Sequence, residues 1–265
     1  MTDQLLFDVD DRIATITFNR PDRMNTITRA MLEGFSELLL RADRDRDVRA
    51  IIVTGAGKAW CAGLDMAAAQ AGDAFESDGA QRMAPGEFDL REAPPIVLNK
   101  IDTPTIAALN GGAAGYGMDL ALGCDIRIAS SRAKLSAAYT ARNLVPESGG
   151  TWLLPRIVGW SAAAELLFTA RTLTADQALA AGLVSQVVEP EALDGVARSL
   201  AGEIAANGPL AVRAAKRMMR HAMSEDFEDH VQRQYLALLP LFGTKDFREG
   251  IAAFMEKRDA DFTGE

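Results

Sequence analysis

Asn110-Gly-Gly-Ala-Ala-Gly-Tyr-Gly-Met-Asp119 is the stretch on which the fold turns. It follows a short apolar run, Thr105–Leu109 (TIAAL), and leads into a helical stretch, Asp119–Leu122. An apolar run of this length, bounded by turn residues, has the character of a strand buried on both faces, as in a parallel sheet. The same sentence is written earlier in the chain. Ala50–Thr54 (AIIVT) ends at Gly55-Ala56-Gly57 and continues through Lys58-Ala-Trp-Cys-Ala-Gly-Leu-Asp-Met66. A third glycine turn, Leu144-Val-Pro-Glu-Ser-Gly-Gly-Thr151, sets Glu147 just ahead of another helix start. Asp125–Ala129 and Leu183–Val188 are further strand candidates, and Ala162–Thr169 and Thr174–Ala181 are helical. Strands alternating with helices give an α/β core.

Toward the amino end, Arg12–Phe18 alternates, with Ala14, Ile16 and Phe18 on one face, which is the pattern of a half-buried strand. After a turn at Asn19-Arg20-Pro21-Asp22, Thr28 is placed to cap a helix carrying Met31, Phe35, Leu38 and Ala42 on one stripe. From about Glu191 to Lys257 no strand pattern appears, only helical segments between breaks at Gly208-Pro209, Ser224 and Gly243. We therefore divide the chain into a core, 1–200, and a helical region, 201–265. Residues 67–92 mix Ala, Gly, Met and acidic residues without a period and are expected to form a variable flap over the site.

Composition narrows the partners. The 265 residues are 48% apolar and 25% charged, ordinary for a folded domain. The net charge of −9 lacks any long basic run, which argues against nucleic acid as a partner. No window reaches the roughly 18 apolar residues of a membrane span. Cys61 and Cys124 form no CxxC pair, and the acidic amino terminus has no apolar signal core, so a cytoplasmic protein with reduced thiols is expected. His221 and His230 are too few for a metal site and lie far from Cys61 in sequence, which disfavours a Cys–His nucleophile. Arg217-Met-Met-Arg220 is taken as helix packing, and Trp60, Trp152 and Trp160 as core or subunit contacts.

The glycine bends carry a chemical possibility. Small residues at Ala62 and Gly63 let a ligand approach the backbone and expose the Leu64 amide, while a helix start at Tyr116 presents free N–H groups to an oxygen gaining charge. Neither bend has the Walker spacing, and Leu120 stands where a dinucleotide fingerprint needs its third glycine. Taken singly, each bend reads first as a structural turn.

Taken together, the motifs resemble the crotonase (enoyl-CoA hydratase/isomerase) superfamily across nearly the whole chain. The match is carried by Asn19-Arg-Pro with Met24-Asn25, Ala59-Trp-Cys-Ala-Gly-Leu-Asp65, Asn110 through Gly117, Cys124–Ala129, Pro146–Pro155 (PESGGTWLLP), Ala178–Val184 and Glu249 through Arg258. The resemblance implies a spiral of ββα repeats with a helical C-terminal region used for trimer formation, as a trimer or a dimer of trimers. It implies an acyl-CoA substrate, no separate cofactor and no metal. It also implies an oxyanion hole from the Leu64 and Tyr116 amides, a CoA site lined by Met24, Ala62, Gly63, Asp65 and Gly115, and Lys257 reaching CoA phosphates, even those bound to a neighbouring subunit.

The acids are where this chain departs from the pattern. Of the two glutamates that the family's hydratases use to hold water, the first matches Asp119 and the second falls on Tyr139, a residue expected to line the pocket. Glu147 matches the single acid of the superfamily's enoyl-CoA isomerases; related ring-opening epoxide and oxepin isomerases have an Asp there. Isomerisation by Glu147 is therefore placed ahead of hydration by an Asp119/Glu147 pair. At Glu147, burial would raise the pKa and a helix N-terminus would lower it. A catalytically silent CoA-ester-binding homologue is the alternative that the Tyr139 departure motivates. An RNA-binding role, known in the superfamily, is disfavoured by the acidic charge.

Overall fold

The computed structural model describes residues 3–65 and 90–265. The anticipated flap therefore lies outside the described residues, except for a short 3-10 helix at Leu90–Glu92. Strand β1 (Leu5–Asp10) pairs antiparallel with β2 (Ile13–Phe18), so the expected strand has a partner that its acidic sequence did not announce. Thr28 accepts the Met31 amide at 3.3 Å and starts α1 (Arg29–Arg44), which buries Met31, Phe35, Leu38 and Ala42. Met31, Phe35 and Leu38 each contribute roughly 1.5–3 kcal/mol on leaving water.

Three long strands continue the sheet in parallel: β3 (Ala50–Gly55), β5 (Thr105–Leu109) and β7 (Ile126–Ser130). A last short strand, β10 (Gln186–Val188), joins β7; the preceding Leu183–Ser185 is a turn, so only the end of the anticipated strand is extended. The apolar runs are explained by burial on both faces. Ile51, Val53, Ala107 and Leu109 face the main core, whereas Ala50, Ile52, Ile106 and Ala108 face a second core.

A second parallel layer is built from the glycine bends. Short strands β4 (Ala59–Cys61), β6 (Gly112–Ala114) and β8 (Lys134–Ser136) follow β3, β5 and β7, and β9 (Thr172–Thr174) closes the row antiparallel to β8. Helices α2 (Pro94–Lys100), α3 (Tyr116–Gly123), α4 (Gly150–Val158), α5 (Trp160–Thr169) and α6 (Ala175–Ala180) complete the turns. Long strand, short strand, helix, repeated, is the expected ββα spiral.

Helix α7 (Leu193–Ala205) covers the second face of the sheet with Leu193, Ala197 and Ala201, and so runs across residue 200. Beyond it, α8 (Pro209–His221) docks through charge. Arg213 bonds Asp43 at 2.9 Å, Lys216 bonds Asp125 at 2.7 Å, and Arg217 and Arg220 both bind Asp102. Within Arg217-Met-Met-Arg220, taken as helix packing, Met218 is half-buried and Met219 is 72% exposed, while the two arginines add to the charged attachment. Helix α9 (Phe227–Leu238) buries none of its residues and α10 (Lys245–Glu256) only Asp246 and Ala253. Among the described residues, no helix is long and apolar enough to cross a membrane.

Candidate active site

The two bends meet because β4 and β6 are parallel neighbours, with Ala59 opposite Gly112 and Cys61 opposite Ala113. Parallel strands end at the same edge of a sheet, so the residues that follow them emerge side by side. Ala62-Gly63-Leu64 leaves β4 and Gly115-Tyr116 leaves β6. A Cβ placed on Gly63 would stand 2.8 Å from the Ala114 carbonyl and 3.6 Å from the Tyr116 nitrogen. Gly63 has φ +99° and Gly115 φ +52° with ψ −126°, conformations that a residue with a Cβ enters only under strain.

Neighbouring groups hold the bends in place. Ile27 N donates to Gly63 O at 2.8 Å and Asp65 N to Ile27 O at 3.0 Å, flanking the Leu64 amide. Tyr116 is the first residue of α3, where an amide has no intrahelical acceptor. Neither the Leu64 nor the Tyr116 N–H has a hydrogen-bond acceptor among the described residues. Trp60, fully buried, anchors β4 by donating to Val53 O at 3.0 Å and packing its edge against Phe18. Asn25, also fully buried, donates to Ala56 O and Ala59 O at 2.9 and 2.7 Å and thereby fixes the first bend.

The acidic side of the cleft is made of side chains. Asp119 lies one turn into α3, 3% exposed, and its Oδ2 accepts from Ser148 Oγ at 2.6 Å, Tyr139 OH at 2.8 Å and Gly150 N at 3.3 Å. Burial pushes its carboxyl up to about 6; the Ser148 and Tyr139 hydrogen bonds oppose the rise and the Glu147 charge adds to it. Glu147 sits in the turn before α4, exposed, with no side-chain hydrogen bond among the described residues. The protein around it still penalises its charge and raises its pKa, only partly offset by a backbone N–H. The direction is thus the one that burial gives. The Tyr116 phenol is pushed up first by burial and then by the Glu147 and Asp119 charges.

Of the anticipated residues, Gly63, Leu64, Gly115 and Tyr116 come together at the paired bends, Asp119 stands one turn along α3, and Glu147 is tied to it through the neighbouring Ser148. Met24, Ala62 and Asp65 adjoin the first bend. Ala62 N donates to Met24 O at 3.1 Å, and the Asp65 carboxylate accepts from Arg20 at 3.0 Å. Lys257 is set apart. It is an exposed left-handed cap at the end of α10, and no hydrogen bond or ion pair links it to the cleft among the described residues. Cys61 is a packing residue, its thiol pushed up to about 12 by burial.

Three residues of the acidic side were not anticipated in this role. Tyr139 was expected to line the pocket, but its hydroxyl is spent on Asp119. Ser148 and Gly150 entered only as parts of a turn. Their contacts run across 29 and 31 residues of sequence, with no local periodicity to mark them. A Cβ on Gly150 would lie 2.3 Å from Asp119 Oδ1, which is why a glycine stands there.

A family model for enoyl-CoA hydratase/isomerase matches residues 8–265. The chain is 36% identical to a crotonyl-CoA hydratase of Syntrophomonas wolfei, covering 98% of both chains. It is 35% identical to the 1,2-epoxyphenylacetyl-CoA isomerase of Escherichia coli, covering 100% of both. Among solved structures, an enoyl-CoA hydratase from Bacillus anthracis superposes with a TM-score of 0.87 at 34% identity, over 99% of this chain and 100% of that one.

Proposed function

This chain belongs to the enoyl-CoA hydratase/isomerase family, and on that premise we propose that it shifts the double bond of an unsaturated acyl-CoA, with Glu147 as the acid–base. The thioester oxygen accepts the Leu64 and Tyr116 N–H groups. Glu147 takes a proton from C2 of a 3-enoyl-CoA, leaving a dienolate whose negative charge rests on that oxygen. The resulting Glu147 carboxylic acid then returns the proton to C4, giving the 2-enoyl-CoA and the starting carboxylate. Two preorganised donors stabilise the dienolate by roughly 3–4 kcal/mol each. The raised pKa of Glu147 brings it nearer to working pH, which favours a group that must both accept and donate.

The hydrogen bonding supports this reading: the Glu147 carboxylate has no side-chain partner among the described residues, while three donors hold Asp119 Oδ2. CoA enters as part of the substrate, its adenine end beside Met24, Ala62 and Asp65, in fatty-acid or related acyl-CoA breakdown in the cytoplasm. Turnover of 3-enoyl-CoA and hydration of 2-enoyl-CoA, assayed separately, test the assignment. Glu147→Gln is expected to lower isomerisation by roughly 10²–10⁴-fold. Unchanged isomerisation would remove Glu147 from the mechanism. Hydration that is fast in the wild type and lost in both Glu147→Gln and Asp119→Asn would favour the two-acid route.

The helical region 201–265 is read as the assembly surface of a trimer or a dimer of trimers, bringing Lys257 within reach of a neighbour's CoA. Phe227 at 84%, Phe254 at 81% and Met255 at 75% exposure support it, since so much exposed apolar surface marks an interaction site. Sedimentation as a monomer at micromolar concentration would overturn that part.

A further inference from the structure

We propose that Asp119 is a positioning residue rather than a second reacting acid: with Tyr139 and Ser148 it latches the turn that carries Glu147 onto the helix that carries the Tyr116 amide. The proposal rests on Glu147 being the base.

The latch joins the two parts of the site that must keep register. Asp119 follows Tyr116 by three residues on α3, so its carboxylate is fixed relative to one oxyanion donor. Ser148 is the residue after Glu147, and Gly150 opens α4. Both bond to the same Asp119 oxygen, at 2.6 and 3.3 Å, so Glu147 is carried on a turn clamped directly after it. Tyr139 reaches in from between β8 and α4, donating to that oxygen at 2.8 Å and standing 3.1 Å from Ser148 Oγ. Asp119, Tyr139 and Ser148 are 3%, 6% and 3% exposed, so water does not compete strongly for these bonds. The neighbouring Gly149, at φ +97°, turns the chain sharply there, and the carboxylate of Asp119 fills the space that a side chain at Gly150 would need. The three donors converge on Oδ2 and hold the carboxylate in one orientation, an arrangement that serves geometry.

Five variants in the 3-enoyl-CoA isomerase assay test this, with thermal melting to establish folding. Ser148→Ala is expected to lower kcat about tenfold or more with KM little changed, because a misplacement of about 1 Å can cost on the order of 10²-fold. In a Glu147→Gln background the same change should cost nothing further, since the latch acts only through that carboxyl. Asp119→Ala should lose kcat, and Asp119→Asn, which still accepts from both hydroxyls, should recover most of it. Equal loss in Asp119→Asn and Asp119→Ala, or a full additional loss for Ser148→Ala in the Glu147→Gln background, would overturn the latch while leaving Glu147 as base. A Glu147→Gln enzyme of normal activity would overturn the base assignment, and the latch with it.

Discussion

The two sides of the cleft manage charge by opposite means. On the glycine side the groups proposed to work are main-chain amides of Leu64 and Tyr116, whose placement is set by strand pairing, a buried tryptophan and two positive-φ glycines. On the acidic side the proposed groups are side chains, set beside a hydroxyl network around one carboxylate oxygen. The first side has no titration near neutrality and depends on space. The second has two carboxyls with raised pKa values and depends on burial and hydrogen bonds. Substitutions should therefore fail for different reasons on the two sides: steric on one, electrostatic on the other.

The largest expected effect is on the glycine side. A Cβ on Gly117 would stand 2.2 Å from the Cys61 carbonyl oxygen and 2.8 Å from its sulfur. Since the nearest obstacle is backbone, β4 must move away from α3, and the bends separate. Gly117→Ala is expected to lower kcat roughly 10²–10³-fold, as for the loss of one oxyanion donor. An alanine enzyme with normal kcat would break the contrast, for the amides would then not depend on close approach.

The smaller effect is on the acidic side and concerns stability against pH. The Asp119 carboxyl stands near 6 when folded against 3.8 when free. An acid raised by folding binds its proton more tightly in the native state. Its contribution to stability is fully present below about pH 4 and is lost as pH rises through about 6. The shift corresponds to about 3 kcal/mol at most. Glu147, also raised, acts in the same direction, whereas Asp102, held low by Arg217 and Arg220, acts in the opposite one. The informative quantity is thus the difference between wild type and Asp119→Asn. Melting temperatures at pH 4, 5, 6 and 7 should converge or cross, the wild type losing ground to the variant as pH rises. Parallel curves would mean that the carboxyl is not shifted.

Much of the glycine side was legible because its signals are local. TIAAL before Asn110-Gly111-Gly112 and AIIVT before Gly55 are contiguous, and a glycine needed for positive φ or close approach marks itself in the chain. Met31, Phe35, Leu38 and Ala42 repeat at helical spacing, so α1 and its Thr28 cap were legible too. The first strand was not, because Leu5–Asp10 is exposed along most of its length and carries acids where a core strand would carry apolar residues. Nor was the manner in which α8 attaches. Lys216 pairs with Asp125, and Arg217 and Arg220 with Asp102, partners about 90 to 120 residues away that no helical period reveals.

The sequence by itself determined the α/β spiral, the positions of the two bends and the presence of an acid at Glu147, because strand burial, turn chemistry and family motifs are written in neighbouring residues. Only the tertiary structure decided that the bends abut, that Tyr139 and Ser148 are committed to Asp119, and that the Glu147 carboxyl is raised by burial. Those outcomes depend on which groups distant in the chain share a volume, and on how much water is left in it. Contact and desolvation exist only once the chain is folded.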